Sequence, residues 1–329
     1  MHRVEPFWLS NKVPCTDSGQ STALHEACSS AYFSKVEREE VLDRLPVDVL
    51  ASSRGPHGRT PVLHAAACGR DGWVQSLLDR LPQEALAVID DCNCSLLHLM
   101  TFLGTELQGR ILHCFPDVQR LCVQRATVPK LRYRVTGNAI ALQLLNGNVG
   151  VAEMLLAQAK WEDLLADDFL VFGDLHHCSL LHVASFAADS RLCLAIISRV
   201  LATDRSALTA VDAEGRTPFH VLVAQQSSVS TQHCLVVKRN WKEDHTTRLL
   251  AIGQGFLDAL TDDELLVTDT KGTTVLEDLL ASVKADHWRK NDSRIYYLCK
   301  QLIQSFLGAG DYYLVEDRYA HCQACDEPT

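Results

Sequence analysis

The segment from Asp212 to His220 reads D-A-E-G-R-T-P-F-H, and decayed copies of it recur six more times along the chain. A Gly two residues before a Thr-Pro pair, followed by an apolar residue and a His, specifies a tight turn that opens a helix. Thr217 offers its hydroxyl as a cap, and Pro218 suits the first helical position because its missing N–H costs nothing there. His220 falls one turn in, where an imidazole can satisfy polar groups between neighbouring copies. No single unit of this kind can bury its own apolar stripe, so the units must stack.

With the Thr as anchor, the copies are set by Thr22, Thr60, Ser95, Asn138, Ser179, Thr217 and Thr274. His25, His98, His182 and His220 follow their anchors by three residues. His64 comes one place late, and Ala141 and Glu277 stand in the fourth and seventh copies. Five residues before the anchor lie Asp17, Asp90, Asp174, Asp212 and Asp269; Leu86, Leu170, Leu208 and Leu265 come four residues before an Asp. V-L-D-R-L-P at Val41 to Pro46 matches L-L-D-R-L-P at Leu77 to Pro82. Trp73, Val74, Leu77, Leu78 and Leu81 have the i, i+3, i+4, i+7 spacing of a helix with one buried face, and Ile196, Ile197 and Val200 fill three of those places in the fifth copy.

This wording resembles the ankyrin repeat, whose signature is T-P-L-H-x-A with an Asp at the hairpin turn. The resemblance implies an all-α fold: a curved ankyrin-repeat solenoid of about seven helix-turn-helix units with short hairpins over 1–310, then an irregular tail over 311–329. Successive anchors are 38, 35, 43, 41, 38 and 57 residues apart, against about 33 in the regular repeat. The surplus is inserted sequence, expected in loops at about 118–136, 225–246 and 281–293.

Composition narrows the function. The net charge of −10 is spread without long runs, giving no general attraction to nucleic acid, and none is expected as a partner. The nearest basic tract, Arg120, Arg125, Lys130, Arg132 and Arg134, reads as a solvated inter-repeat loop. No stretch approaches the ~20 apolar residues of a membrane span, and the first residues lack a signal peptide's apolar core. Thirteen cysteines, an odd number, suit a reducing compartment, where they serve as small apolar core residues. A cytoplasmic monomer is expected.

No cofactor and no metal are expected. Cys322-x-x-Cys325 lacks the second knuckle that four-ligand zinc needs, Cys92-x-Cys94 has the wrong spacing, and His176-His177-Cys178 reads as a hairpin tip. The repeated histidines share one repeat position, so one structural role covers them. No P-loop, G-x-G-x-x-G or H-E-x-x-H is present. The enzymatic alternative is an insertion-borne Cys/His site.

The resemblance implies binding of a protein partner along a concave face of hairpin tips and inner helices. Carried over by position, the contacts are His57, Arg59, Asp91, His176, Glu214 and Arg216, with Phe102 and Phe186 adding apolar area. Trp241 and Trp288, each set among Lys and Arg in an insertion, either form one aromatic, basic recognition surface or each pack their own loop. Long, eroded units with such insertions are similar to ankyrin proteins that intracellular bacteria deliver into host cells. That likeness implies an effector acting in the host cytosol; an ordinary scaffold is the plainer form of the same reading.

Overall fold

Each inner helix begins one residue after its anchor. The computed structural model describes residues 23–115, 124–128, 135–165, 170–172, 175–224 and 245–279. In it Thr60, Ser95 and Ser179 hold extended backbone, and helices start at Pro61, Leu96 and Leu180. The chain divides into two compact units, Met1–Gln143 with Gly150–Asp163 and Leu144–Val149 with Leu164–Thr329.

The first unit contains α1 (Ala23–Ser29), α2 (Lys35–Asp43), α3 (Val47–Ser52), α4 (Pro61–Ala67), α5 (Asp71–Leu78), α6 (Gln83–Leu86), α7 (Leu96–Leu99) and α8 (Thr105–Cys114). Inner helices α1, α4 and α7 stack in order, and outer helix α2 packs on α5. Helix α4 buries Val62, Leu63, Ala65, Ala66 and Ala67, and its small side chains let inner helices on both sides approach. The stripe anticipated for α5 is buried throughout, from Trp73 to Leu81. Phe33 meets Trp73 edge-on at 5.4 Å between ring centroids. A capping box starts α2: the Glu37 amide donates to Ser34 Oγ, and the Ser34 amide donates to the Glu37 carboxylate at 2.8 Å. The outer layer is laced by Arg80, paired with Glu39 at 2.5 Å and Asp43 at 2.6 Å.

Much of the described part of the first insertion, expected as a loop, is paired strand. Strand β1 (Ala126–Val128) pairs antiparallel with β2 (Val135–Gly137), Thr127 opposite Thr136, so the extra residues lengthen the fourth hairpin instead. Helices α9 (Ala139–Leu145), α10 (Val149–Gln158) and α11 (Trp161–Leu165) follow. Asn138 takes the anchor's role at the start of α9, its Oδ1 accepting the Ala141 amide at 2.9 Å.

The second unit opens with β3 (Leu170–Phe172) antiparallel to β4 (Leu175–Cys178), then α12 (Leu180–Ala187), α13 (Ser190–Thr203), α14 (Pro218–Ala224), α15 (His245–Ala259) and α16 (Asp262–Leu265). Inner α12 packs on α14 and outer α13 on α15. Ile196, Ile197 and Val200 are buried, as are Leu208 and Leu265 ahead of their Asp residues. Phe219 of α14 and Phe256 of α15 stack at 5.1 Å and bind the inner layer to the outer. Helices dominate and the strands are hairpin stems, so the fold is all-α. Residues 225–244 and 280–329, which hold most of the second insertion, all of the third, and the tail, lie outside the described residues.

Candidate partner-binding face

The hairpins carry most of the repeat's polar chemistry. Two residues before the anchor in five of the hairpins the backbone is left-handed: Gly58, Asn93, His177, Gly215 and Gly272 have φ between 57° and 76°, whereas Thr136 of the fourth is in strand β2. Gly and Asn tolerate that region best, which explains the Gly of the motif. The Asp three residues earlier folds the turn around itself. Asp90 Oδ1 accepts the amides of Cys92 and Cys94 at 2.9 and 2.8 Å. Asp212 Oδ1 does the same for Glu214 and Arg216, and Asp269 Oδ1 for Lys271 and Thr273. Successive hairpins are then joined through their backbones: the Asp91 amide donates to His57 O, Thr127 to Cys92 O, and Thr270 to Glu214 O, at 2.9–3.0 Å.

That joint makes Gly215 sensitive. A Cβ on Gly215 would lie 2.9 Å from the Thr270 nitrogen that donates across the joint. Gly215→Ala is expected to cost more than about 1 kcal/mol in chemical denaturation, from the left-handed backbone and this clash together. Asn93→Gly, at the equivalent position, should be close to neutral. Equal losses in the two variants would contradict the hairpin stacking.

The repeated histidines fasten helix to hairpin. His98, His182 and His220 each receive on Nδ1 the backbone amide of their own anchor, at 3.1, 3.1 and 3.2 Å, together with its hydroxyl at 2.7–2.8 Å. Nε2 then donates to the following repeat: His25 to Arg59 O at 2.9 Å, His98 to Gln124 O and His182 to Arg216 O at 2.8 Å, and His220 to Thr273 O at 3.2 Å. In three of the four the acceptor directly precedes the next anchor; for His98 the lengthened fourth hairpin supplies Gln124. Glu277 repeats the near half of this arrangement, accepting the Thr274 amide at 2.7 Å, but a carboxylate has no proton to pass on. Burial keeps these rings neutral, holding His98 and His182 down to about 4 and lowering His25 and His220.

The second copy breaks the pattern and repairs it. Gly55 stands where other copies have Asp, and a Cβ there would fall 2.4 Å from the His25 ring. Without an Asp in its own hairpin, Arg59 reaches forward to Asp90, Nε to Oδ2 at 2.9 Å, with both side chains buried. Arg216, at the equivalent position, pairs within its own hairpin with Asp212 and with Glu214. Late by one residue, His64 leaves its anchor and instead meets Cys68 Sγ through Nε2 at 3.9 Å. The Arg59–Asp90 pair therefore ties the second repeat to the third where no imidazole does.

The structure sorts the expected contact residues. His57 and Asp91 are exposed at hairpin tips; Glu214, Arg216 and Phe102 are half-buried. Arg59 is 6% exposed and Phe186 8%, so both are corrected: one is committed to Asp90 and the other lies in the inner layer, and neither is presented to a partner. His176 lies in β4 opposite Val171. Trp241 and Trp288 lie outside the described residues. The Cys68–His64 contact is the described pair nearest to the enzymatic alternative. His64 Nδ1 is buried without a hydrogen-bond partner, and burial, reinforced by His25 and Arg59, holds the ring near 4. So low a value makes the ring a weak base, and no third group orients it as a nucleophilic Cys–His pair requires. Seven cysteines lie among the described residues, four of them buried. Among the described residues no group of three or more His, Cys, Asp or Glu could hold a metal ion, and no helix is long and apolar enough to cross a membrane. Arg248, which the sequence gave no reason to single out, is fully buried on α15.

Stacked helix pairs, an Asp-folded hairpin and a Ser/Thr–His cap reaching the next unit define an all-α repeat fold of the ankyrin type. No family model matches the chain, and no curated protein does. Among solved structures, it is similar to the human ASB11 ankyrin repeat domain at 12% identity and a TM-score of 0.47, over 85% of this chain and 97% of that one. It is also similar to a chain in the complex of a predatory endopeptidase from Bdellovibrio bacteriovorus with its immunity protein, at 16% identity and a TM-score of 0.35, over 86% and 98% of the respective chains. What makes the fold ankyrin-type is the repeated geometry; these two likenesses add nothing to it.

Proposed function

We propose that the chain is a protein-interaction module that binds its partner through the hairpin tips and the adjoining inner-helix surface. One observation carries this reading: buried polar groups fix the hairpin backbones, while the side chains at equivalent tip positions point outward. Asp91 and Ala213 both stand four residues before their anchors and both are exposed. Rigid, pre-ordered presentation of variable side chains lowers the ordering cost of binding.

A photo-crosslinking residue placed at His57 or at Asp91, both exposed tips of the first unit, should capture the same protein from both positions, and one placed at exposed Glu40 of outer helix α2 should not. Capture concentrated at Glu40 would move the binding surface to the outer layer. Equal capture from all three would leave no preferred face, and either result defeats the reading.

A further inference from the structure

We propose that the repeated histidines act as proton-operated clasps, holding each inner-helix cap to the next repeat while neutral and releasing it when protonated. The geometry fixes the closed form. A backbone amide can only donate, so Nδ1 of His98, His182 and His220, which receives the amide of Ser95, Ser179 or Thr217, carries no hydrogen. Nε2 therefore carries it and donates to the next repeat's carbonyl. A second proton must go to Nδ1, where it would face the amide hydrogen across 3.1–3.2 Å. The Ser or Thr hydroxyl can rotate to accept, but the amide cannot. Protonation must open the cap or break the link to the next repeat.

The charged groups around the rings decide the pH at which this happens. Glu26 faces His25; Asp90 faces His98; Asp212, Arg216 and His220 face His182; Asp212, Asp269 and Asp278 face His220. The carboxylates favour the charged ring and Arg216 and His220 oppose it, but burial outweighs them all. His64 lacks a clasp but titrates in the same low range, faced by His25, Arg59, Glu26 and His57.

The sign follows from linkage. Rings whose folded value lies below the unfolded 6.5 bind more protons unfolded than folded. Their contribution is complete above about pH 6.5 and is lost as the pH falls from there towards about 4. Each such ring raises the unfolding constant by up to about tenfold per pH unit, and the rings within one unit act together. The same rings hold hairpins against helix starts, so a partner bound at the tips would be released in mild acid. That consequence rests on the proposed function, whereas the clasp is tested without a partner.

The test uses the full chain. Helical signal should fall cooperatively between pH 6.5 and 4, and His98→Gln/His182→Gln/His220→Gln should move the midpoint down by about one pH unit, because Gln can cap a helix but does not titrate. Ring 15N shifts in the unmodified chain should show neutral Nε2–H tautomers persisting until the fold is lost. They decide the matter if the triple variant fails to fold at neutral pH. Rings that titrate near 6.5 inside an intact fold would overturn the proposal, as would an unchanged midpoint in a folded triple variant. A chain that unfolds in acid with the rings still neutral would overturn it too. If the clasp survives these tests while tip crosslinking fails, only the binding reading is lost.

Discussion

Replacing Asp90 with alanine is expected to cost the first unit about 3–5 kcal/mol, because Arg59 would be left as a buried charge without its carboxylate. The loss has two parts. Asp90 Oδ1 holds the amides of Cys92 and Cys94, so removing it leaves two turn donors without their acceptor. Asp90 Oδ2 receives Arg59 Nε at 2.9 Å, and both side chains are at most 7% exposed, so water cannot replace the bond. Against a total stability of roughly 5–15 kcal/mol for an ordinary domain, such a loss is enough to separate α4 from α7 in much of the population. Asp269→Ala provides the comparison. It removes an acceptor for the same pair of amides, but its carboxylate is half-buried and pairs with no arginine among the described residues, so about 1 kcal/mol is expected. Amide hydrogen exchange would read each loss locally, on α4 and α7 for Asp90→Ala and on α14 for Asp269→Ala. Losses of equal size would mean that the ion pair contributes nothing to the joint between repeats.

That joint also marks where the sequence stopped being readable. Where the residues are described, the anchors Thr60, Ser95, Ser179 and Thr217, the turn residues Asp90, Asp212 and Asp269, and His98, His182 and His220 predicted elements the structure contains, because each shapes its own turn or helix start over a few residues; Asp17, Thr22 and Asp174 lie outside the described residues. The lateness of His64 was visible as well. Its consequence was not, since it depends on Arg59 turning from its own hairpin to the next repeat, and only a three-dimensional neighbour decides that. Arg59 was accordingly expected at the surface, as a charged residue beside a turn usually is. The absence of Asp at position 55 was the available signal: an arginine deprived of its hairpin carboxylate has to find another. Phe186 failed for a simpler reason. The five-residue run of apolar and small residues from Val183 to Ala187 on α12 does not reveal by spacing which of them lies at the edge of the inner layer. The first insertion was legible as extra length but not as strand, because its β1 and β2 segments are three residues each.

Arg248 carries the other large effect, and nothing in the repeat pattern pointed to it. It projects from α15 into the second unit with no measurable exposure and donates from Nε to Ala188 O and from Nη2 to Ser185 O, both at 2.6 Å. Those carbonyls close the last turn of α12, where helical oxygens lack partners of their own and the helix dipole is negative. A guanidinium fits because its fork satisfies two acceptors at once and its charge is set against the dipole. Arg70 does a smaller version of this in the first unit, Nε to Ser29 O at 2.7 Å, at the end of α1. Arg248→Ala is therefore expected to destabilise the second unit by about 3–5 kcal/mol, combining the loss of two buried charge-assisted hydrogen bonds with an internal cavity. Arg248→Met separates the causes by filling most of the volume without any donor. Subtracting its loss from that of the alanine variant gives the cavity cost, and the remainder is the cost of the lost hydrogen bonds. Arg248→Lys should lie between the wild type and Met, since one ammonium keeps the charge but lacks the planar fork. If Met were as stable as the wild type, the guanidinium would be a packing element only, and the C-terminus of α12 would need no donor from the next repeat.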